Sequence, residues 1–265
     1  MRRFTTFAFA AALALALTIP CRGWAQNYRL VAQERADNGD GFTVLHVWGT
    51  HQEMGFAMGV ALADDIVETM RELRAYLGSS YSMARYAADA LVWPDPDLEA
   101  VMDGVLEGVL SVHPDADMDG TDMRFANGFS DLPYTMCRSH SAWGRFVEDP
   151  VTALSTRRFD YPFTESFDFI SHQVLVAMEP DDGVQYVNVG WGGFVAVITA
   201  VNEFGTVVGL HDLGEGNIMI TAPVARSAAA HSVLTGVAGL PIEEHASWAA
   251  EHIGGMEVVK DTHIL

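Results

Sequence analysis

The sequence predicts an α+β fold: helices come first, strands follow as a block, and helices return near the end. Two observations carry this. Apolar residues recur at helical spacing up to about Ser130, and just after Cys137 the period shortens to the alternation of strands. The strand-like segments are then separated by turns such as Pro180-Asp-Asp-Gly183 and Asn202-Glu-Phe-Gly205. Such connections are too short for parallel crossovers, so antiparallel hairpins are expected. Strands in one block flanked by helices form a layered α+β arrangement.

The elements follow in order. Residues 26–49 read as strand and turn, with the turn cluster Asn38-Gly-Asp-Gly41 leading into the alternating Phe42-Thr-Val-Leu-His-Val47. Thr50-His-Gln-Glu53 is a capping box, in which each side chain satisfies the other residue's free amide, and it opens a helix. Leu62, Ile66, Met70, Leu73 and Leu77 continue that helix to a glycine stop at Gly78. A second helix runs from about Asp97, with Leu98, Met102, Val105 and Val109 on one face, and a third spans roughly Thr121 to Ser130. Strands are expected at 141–147, 152–159, 173–178, 185–189, 194–201 and 206–210. Helices at about 222–236 and 241–253 and a strand beginning over Met256 to Lys260 complete the chain.

Arg2, Arg3 and the apolar stretch Phe7 to Ile19, followed by Gly23-Trp24-Ala25, read as a signal peptide over residues 1–25. The stretch is short for a membrane span, and no later segment is long and apolar enough for one. An exported chain, periplasmic or extracellular and without stable membrane insertion, is expected. Removing the signal takes three arginines and no acids, so the formal charge deepens from −20 to −23. That acidity argues against nucleic acid as a partner, because a polyanion would be repelled. It also leaves Cys137 as the only cysteine of the mature chain, with no intrachain disulfide.

Cys137 is therefore either an inert buried residue or a nucleophile, and residue types alone leave both open. A thiol becomes nucleophilic when its pKa falls or a base stands beside it. Arg157 and Arg158 lie on the second predicted strand after it, where a hairpin could return a guanidinium, and Asp160 follows. A cut before Cys137 would supply another base, its own α-amino group, whose ordinary pKa of about 7.7–8.0 suits the task.

Four segments resemble one family. Leu45-His-Val-Trp-Gly49-Thr-His-Gln-Glu53-Met-Gly55-Phe-Ala57-Met-Gly59 resembles the opening signature of the acyl-coenzyme A:6-aminopenicillanic acid acyltransferases, also called the C45 peptidases. Cys137-Arg-Ser139-His-Ser-Ala142-Trp143-Gly144 resembles their nucleophile segment, and Arg157-Arg-Phe-Asp160-Tyr161 is similar to their Arg-Asn-Leu-Asp-Trp motif. Gly193-Phe-Val-Ala-Val-Ile-Thr-Ala-Val-Asn202-Glu203-Phe-Gly205 is similar to their glycine and Asn-Glu-Lys-Gly region. The four occur in the family's order across about residues 42–260.

The resemblance implies an N-terminal nucleophile hydrolase with a four-layer αββα sandwich. It divides the chain into the signal peptide, a mainly helical region 26–136 and a catalytic core 137–265. A precursor would cleave itself between Met136 and Cys137, and Cys137 would then attack a non-peptide C–N amide bond through an acyl-enzyme, ending in hydrolysis or acyl transfer. Arg157 would polarise or position near the thiolate, Asp160 would hold the α-amino group, and Asn202 and His211 are candidate substrate or oxyanion contacts. The partner would be a small-molecule amide or acyl substrate, no cofactor is expected, and the two processed chains are expected to stay associated. Arg138 replaces the small hydroxyl residue usual after the nucleophile, Phe204 stands where lysine is common, and His211 lies where the family often has asparagine. The family's later oxyanion asparagine would fall past Leu265, so the last strands of the fold are expected to be missing. The alternative is then a truncated, catalytically silent homologue acting as a binding or vestigial exported protein.

Asp115-Ala-Asp117-Met-Asp119-Gly120 opens like a calcium loop, but its twelfth position is Ala126 rather than a bidentate glutamate. The histidines show no paired zinc spacing, so no metal is expected. His140 and His172 are the candidates for a papain-like dyad with Cys137.

Overall fold

The computed structural model describes residues 27–35, 41–131, 136–148, 153–160, 169–212, 224–256 and 262–263. The signal segment and Tyr161 lie outside them, as does the strand expected over Met256 to Lys260 apart from Met256 itself.

The fold is α+β, with a mixed sheet and helices. Six strands form the main sheet in the order β1-β2-β5-β6-β7-β8. They are β1 (Tyr28–Arg35), β2 (Gly41–Gly49), β5 (Gln173–Pro180), β6 (Tyr186–Trp191), β7 (Thr199–Asn202) and β8 (Val207–Gly209). The hairpins β5–β6, β6–β7 and β7–β8 are antiparallel, as the short turns require. β2 and β5 pair in parallel, from Phe42↔Gln173 to Gly49↔Pro180, so the sheet draws on both halves of the chain. Two smaller antiparallel pairs complete the strands among the described residues: β3 (Met136–Trp143) with β4 (Ala153–Asp160), and β9 (His211–Asp212) with β10 (Thr262–His263).

The capping box forms as the sequence dictates. Thr50 Oγ1 accepts from the Glu53 amide at 3.2 Å, and Glu53 Oε2 accepts from the Thr50 amide at 2.9 Å. The helix it opens is divided, into α1 (His51–Ala61) and α2 (Ala63–Leu77). Leu62 leaves helical geometry (φ −117°, ψ 18°), but the hydrogen bonds run on across it, Leu62 N to Met58 O and Ile66 N to Leu62 O. The break is a kink, and Gly78 ends α2 with a positive φ of 50°.

A helix that the apolar pattern does not announce, α3 (Tyr81–Asp89), comes next; Ala88 is its buried residue. Then α4 (Pro96–Val112) begins at Asp95, whose carboxylate accepts from the Asp97 and Leu98 amides, with proline in the first turn. Near the expected third helix lies α5 (Gly120–Gly128), and α6 (Arg226–Gly236) and α7 (His245–Gly254) match the two late helices.

The core lies between the sheet and these helices. On β2, Thr43, Leu45, Val47 and Gly49 are buried in strict alternation, the mark of one covered face. Over it α1 and α4 pack with their backbones touching. A Cβ at Gly55 or Gly59 would lie 2.1 or 2.2 Å from the Val101 or Val105 carbonyl oxygen. At Gly104 or Gly108 it would lie 2.2 or 2.3 Å from that of Gln52 or Phe56. Two glycine pairs at four-residue spacing face each other, leaving no room for side chains between the helices.

The strand expected over 194–201 shortens to β7. Residues 194–198 are buried but leave the ladder, because two asparagines bind their backbone instead. Asn127 Oδ1 accepts from the Val195 and Ala196 amides at 2.7 and 2.9 Å, while its Nδ2 donates to the Gly193 carbonyl. Asn188 Nδ2 donates to the Val195 and Ala196 carbonyls. These bonds satisfy groups that burial would otherwise leave unpaired.

Candidate functional site

The β3–β4 hairpin gathers the residues singled out by sequence. Met136 stands opposite Asp160, Cys137 opposite Phe159, Arg138 opposite Arg158 and Ser139 opposite Arg157. For Met136, Cys137 and Asp160 the structure fixes this backbone register. Arg157 is thus diagonal to Cys137 across the pair, a separation that a long side chain spans. β3 also runs beside β9, which carries His211.

Arg157 leaves its own hairpin and binds the corner of the main sheet. Its Nη1 donates to Thr199 Oγ1 at 2.7 Å and its Nη2 donates to the Leu210 carbonyl at 2.5 Å. Gly209 lies under its stem: a Cβ there would sit 3.4 Å from Arg157 Cδ and 3.9 Å from His211 Nε2. Arg157 and the buried His211 therefore converge on one glycine.

Asn202 is committed elsewhere. Its Oδ1 accepts from the Phe204 and Thr206 amides and its Nδ2 donates to the Leu234 carbonyl, so it ties the β7–β8 turn to α6. These bonds give it a turn-building role rather than a free polar face.

The two dyad histidines are not brought together. His140 is exposed on β3, opposite Thr156. His172 is buried in the 3-10 turn just before β5, with Nδ1 3.5 Å from Asp65 and Nε2 3.8 Å from Glu72, both on α2. The acidic loop before α5 is used internally. Asp119 caps α5 through the Thr121 and Asp122 amides and pairs with Arg85, and Asp117 pairs with Arg74. Burial, and then a hydrogen bond to Asp122, pushes the neighbouring Tyr81 hydroxyl up to about 12. Among the described residues no group of side chains could hold a metal ion, and no described helix is long and apolar enough to cross a membrane.

Two buried polar clusters escape sequence reasoning. Asp131, just before the hairpin, receives the Arg226 Nε at 2.8 Å and the Arg226 amide at 3.0 Å, with both side chains 2 % exposed. His231 on α6 bridges Asp95 (Nδ1 to Oδ2, 2.6 Å) and Tyr186 (Nε2 to the hydroxyl, 3.1 Å). Burial works to raise the Asp95 carboxyl, but the His231 hydrogen bond and charge, with the Leu98 and Asp97 amides, hold it below its ordinary value. Burial, reinforced by Asp95 and Asp97, drives the Tyr186 hydroxyl well above its own. The sequence signal for each was a helix-capping or pre-strand aspartate; the partner, 95 or 136 residues away, carried none.

A cavity of about 560 Å³ lies between β8 and α7, walled mainly by Val207, Val208, Val233, Ile242, Ala249 and Ile253. Its polar lining, Thr206 and His245, is joined by a 2.7 Å hydrogen bond. No protein-family model matches the chain, and no curated protein matches it.

Proposed function

We propose that the chain is an exported cysteine N-terminal nucleophile enzyme that hydrolyses or transacylates a non-peptide C–N amide bond. The observation that carries this reading is the β3–β4 register, which sets Asp160 opposite the residue preceding Cys137 and Arg157 diagonal to Cys137. Cleavage between Met136 and Cys137 would free an α-amino group at a position facing the Asp160 side of the hairpin. That amine takes the thiol proton, the thiolate attacks the substrate carbonyl, and the amine then protonates the departing nitrogen. Water or an amine releases the acyl group from the sulfur. Arg157 favours the thiolate by its charge. The α+β fold with strands from both halves is compatible with a four-layer αββα sandwich, and the four ordered motifs favour that architecture.

Intact-mass analysis of the purified protein tests the reading. Two chains divided between Met136 and Cys137, and an uncut chain for Cys137→Ala, are expected. A wild-type chain that stays whole under conditions where it is folded would sink self-processing, and undiminished amide turnover by Cys137→Ala would sink the nucleophile.

A further inference from the structure

We infer that Thr199 and the Leu210 carbonyl form a clamp that fixes the Arg157 guanidinium at the corner of the main sheet, making Thr199 a positioning residue for thiolate formation at Cys137. The inference rests on the reading of Cys137 as the nucleophile. Arginine carries a long stem with much rotamer freedom, and an exposed guanidinium drifts into water where its charge is screened. Arg157 is held against that tendency by an acceptor on β7 and another on the residue that follows β8. Thr199 begins β7, and the Leu210 amide, next to β8, donates to the Ile198 carbonyl on the β7 side. Thr199 pairs with Gly209, so the hydroxyl and the carbonyl sit side by side in register. They engage different nitrogens of one planar head, Nη1 at 2.7 Å and Nη2 at 2.5 Å. Such two-point binding sets the orientation of the fork as well as its position. The glycine between them leaves space for the stem to lie across the strand.

The main sheet therefore dictates where the positive charge of the hairpin stands. Without the Thr199 hydroxyl the bond that holds Nη1 is gone, the head loosens, and its influence on Cys137, diagonal to it in the β3–β4 register, weakens. Thr199 touches no reacting atom in this scheme and acts through Arg157.

The test is the pH profile of Cys137 alkylation by iodoacetamide, in which the sulfur displaces iodide. The full chain is used and the modified peptide is identified by mass mapping. Thr199→Val is expected to move the profile to higher pH and to slow alkylation at pH 7 by up to about tenfold, the equivalent of one pKa unit. Thr199→Ser, which keeps the hydroxyl, should restore the parent profile. In an Arg157→Ala background Thr199→Val should change nothing further, since there is no head left to release. Melting temperatures identify any variant that has simply lost its fold, and Thr199→Ser against Thr199→Ala then replaces the valine comparison. A Thr199→Val profile that superimposes on the parent overturns the clamp, as does a Thr199→Ser shift equal to that of valine, or a Cys137 that is unreactive at every pH. The two readings fail separately: an uncut parent whose Cys137 reactivity depends on Thr199 overturns self-processing and keeps the clamp. A cut parent indifferent to Thr199 does the reverse.

Discussion

Along the seam between α1 and α4, four glycines set backbone against backbone, whereas the β3–β4 hairpin meets the main sheet through the long side chain of Arg157. The first contact has almost no slack, because any added carbon would lie within about 2.3 Å of a carbonyl oxygen. The second is two hydrogen bonds at the end of a flexible stem, on a hairpin that leaves Leu154 and Phe146 exposed. The difference teaches where each kind of change should register. Alterations to the helix layer should appear as lost stability, and alterations around the hairpin as altered chemistry on a fold that still stands.

The largest effect should come at the buried Asp131–Arg226 pair. Asp131→Ala leaves the buried Arg226 guanidinium without its carboxylate, a loss of the kind that costs about 3–5 kcal/mol. Urea unfolding should show it as a lowered midpoint, and a change under about 1 kcal/mol would show that this buried pair does not hold the scaffold. Gly104→Val should cost about 3 kcal/mol, since the new side chain must push α1 away from α4. A cheap valine there would break the contrast at its root.

Asp95→Ala should cost about 2–3 kcal/mol, by removing the α4 cap and leaving His231 without its carboxylate. It carries a pH signature as well. The Asp95 carboxyl is held below its ordinary value in the folded protein, so its contribution is present above about pH 4 and is lost as pH falls through the folded value. Asp95→Asn should flatten the acid limb of a stability-against-pH curve, and an acid limb as steep as the parent's would contradict the relay. The smallest stability effect belongs to Arg157→Ala, about 1 kcal/mol for bonds at a half-exposed site. If the chain processes itself as proposed, cleavage before Cys137 should nevertheless slow at least about tenfold in this variant. Equal losses of stability and processing would erase the distinction between the two regions.

What could be read from the sequence follows the same line. The capping box at Thr50, the glycine stop at Gly78 and the hairpins around 180–183 and 202–205 are local chemistry, settled within a few residues. The parallel pairing of β2 with β5 was not legible, because nothing in either strand specifies a partner more than a hundred residues away. Nor was the loss of strand over 194–198, which depends on Asn127 and Asn188 reaching in from other elements. Helix α3 escaped because it buries little and so shows no apolar stripe. The four glycines of the seam weaken helix propensity when read singly, and their meaning emerges only when both helices face each other. At the candidate site, the expected strands over 141–147 and 152–159 included Arg157 but neither Cys137 nor Asp160; the structure runs them as β3 (Met136–Trp143) and β4 (Ala153–Asp160), and this longer hairpin takes in all three. The clamp on Arg157 had no sequence signal, because one of its acceptors is a main-chain carbonyl.

The parallel pairing of β2 and β5 has a consequence for any chain broken between Met136 and Cys137. One piece would own β1 and β2 and the other β5 to β8, so the break would leave two polypeptides interleaved in a single sheet with no dissociable boundary between domains. Such a nicked molecule should migrate as one particle until it is denatured. Its recovery from denaturant would then be second order, faster at high protein concentration, and each piece would act as the template on which the other regains its strands.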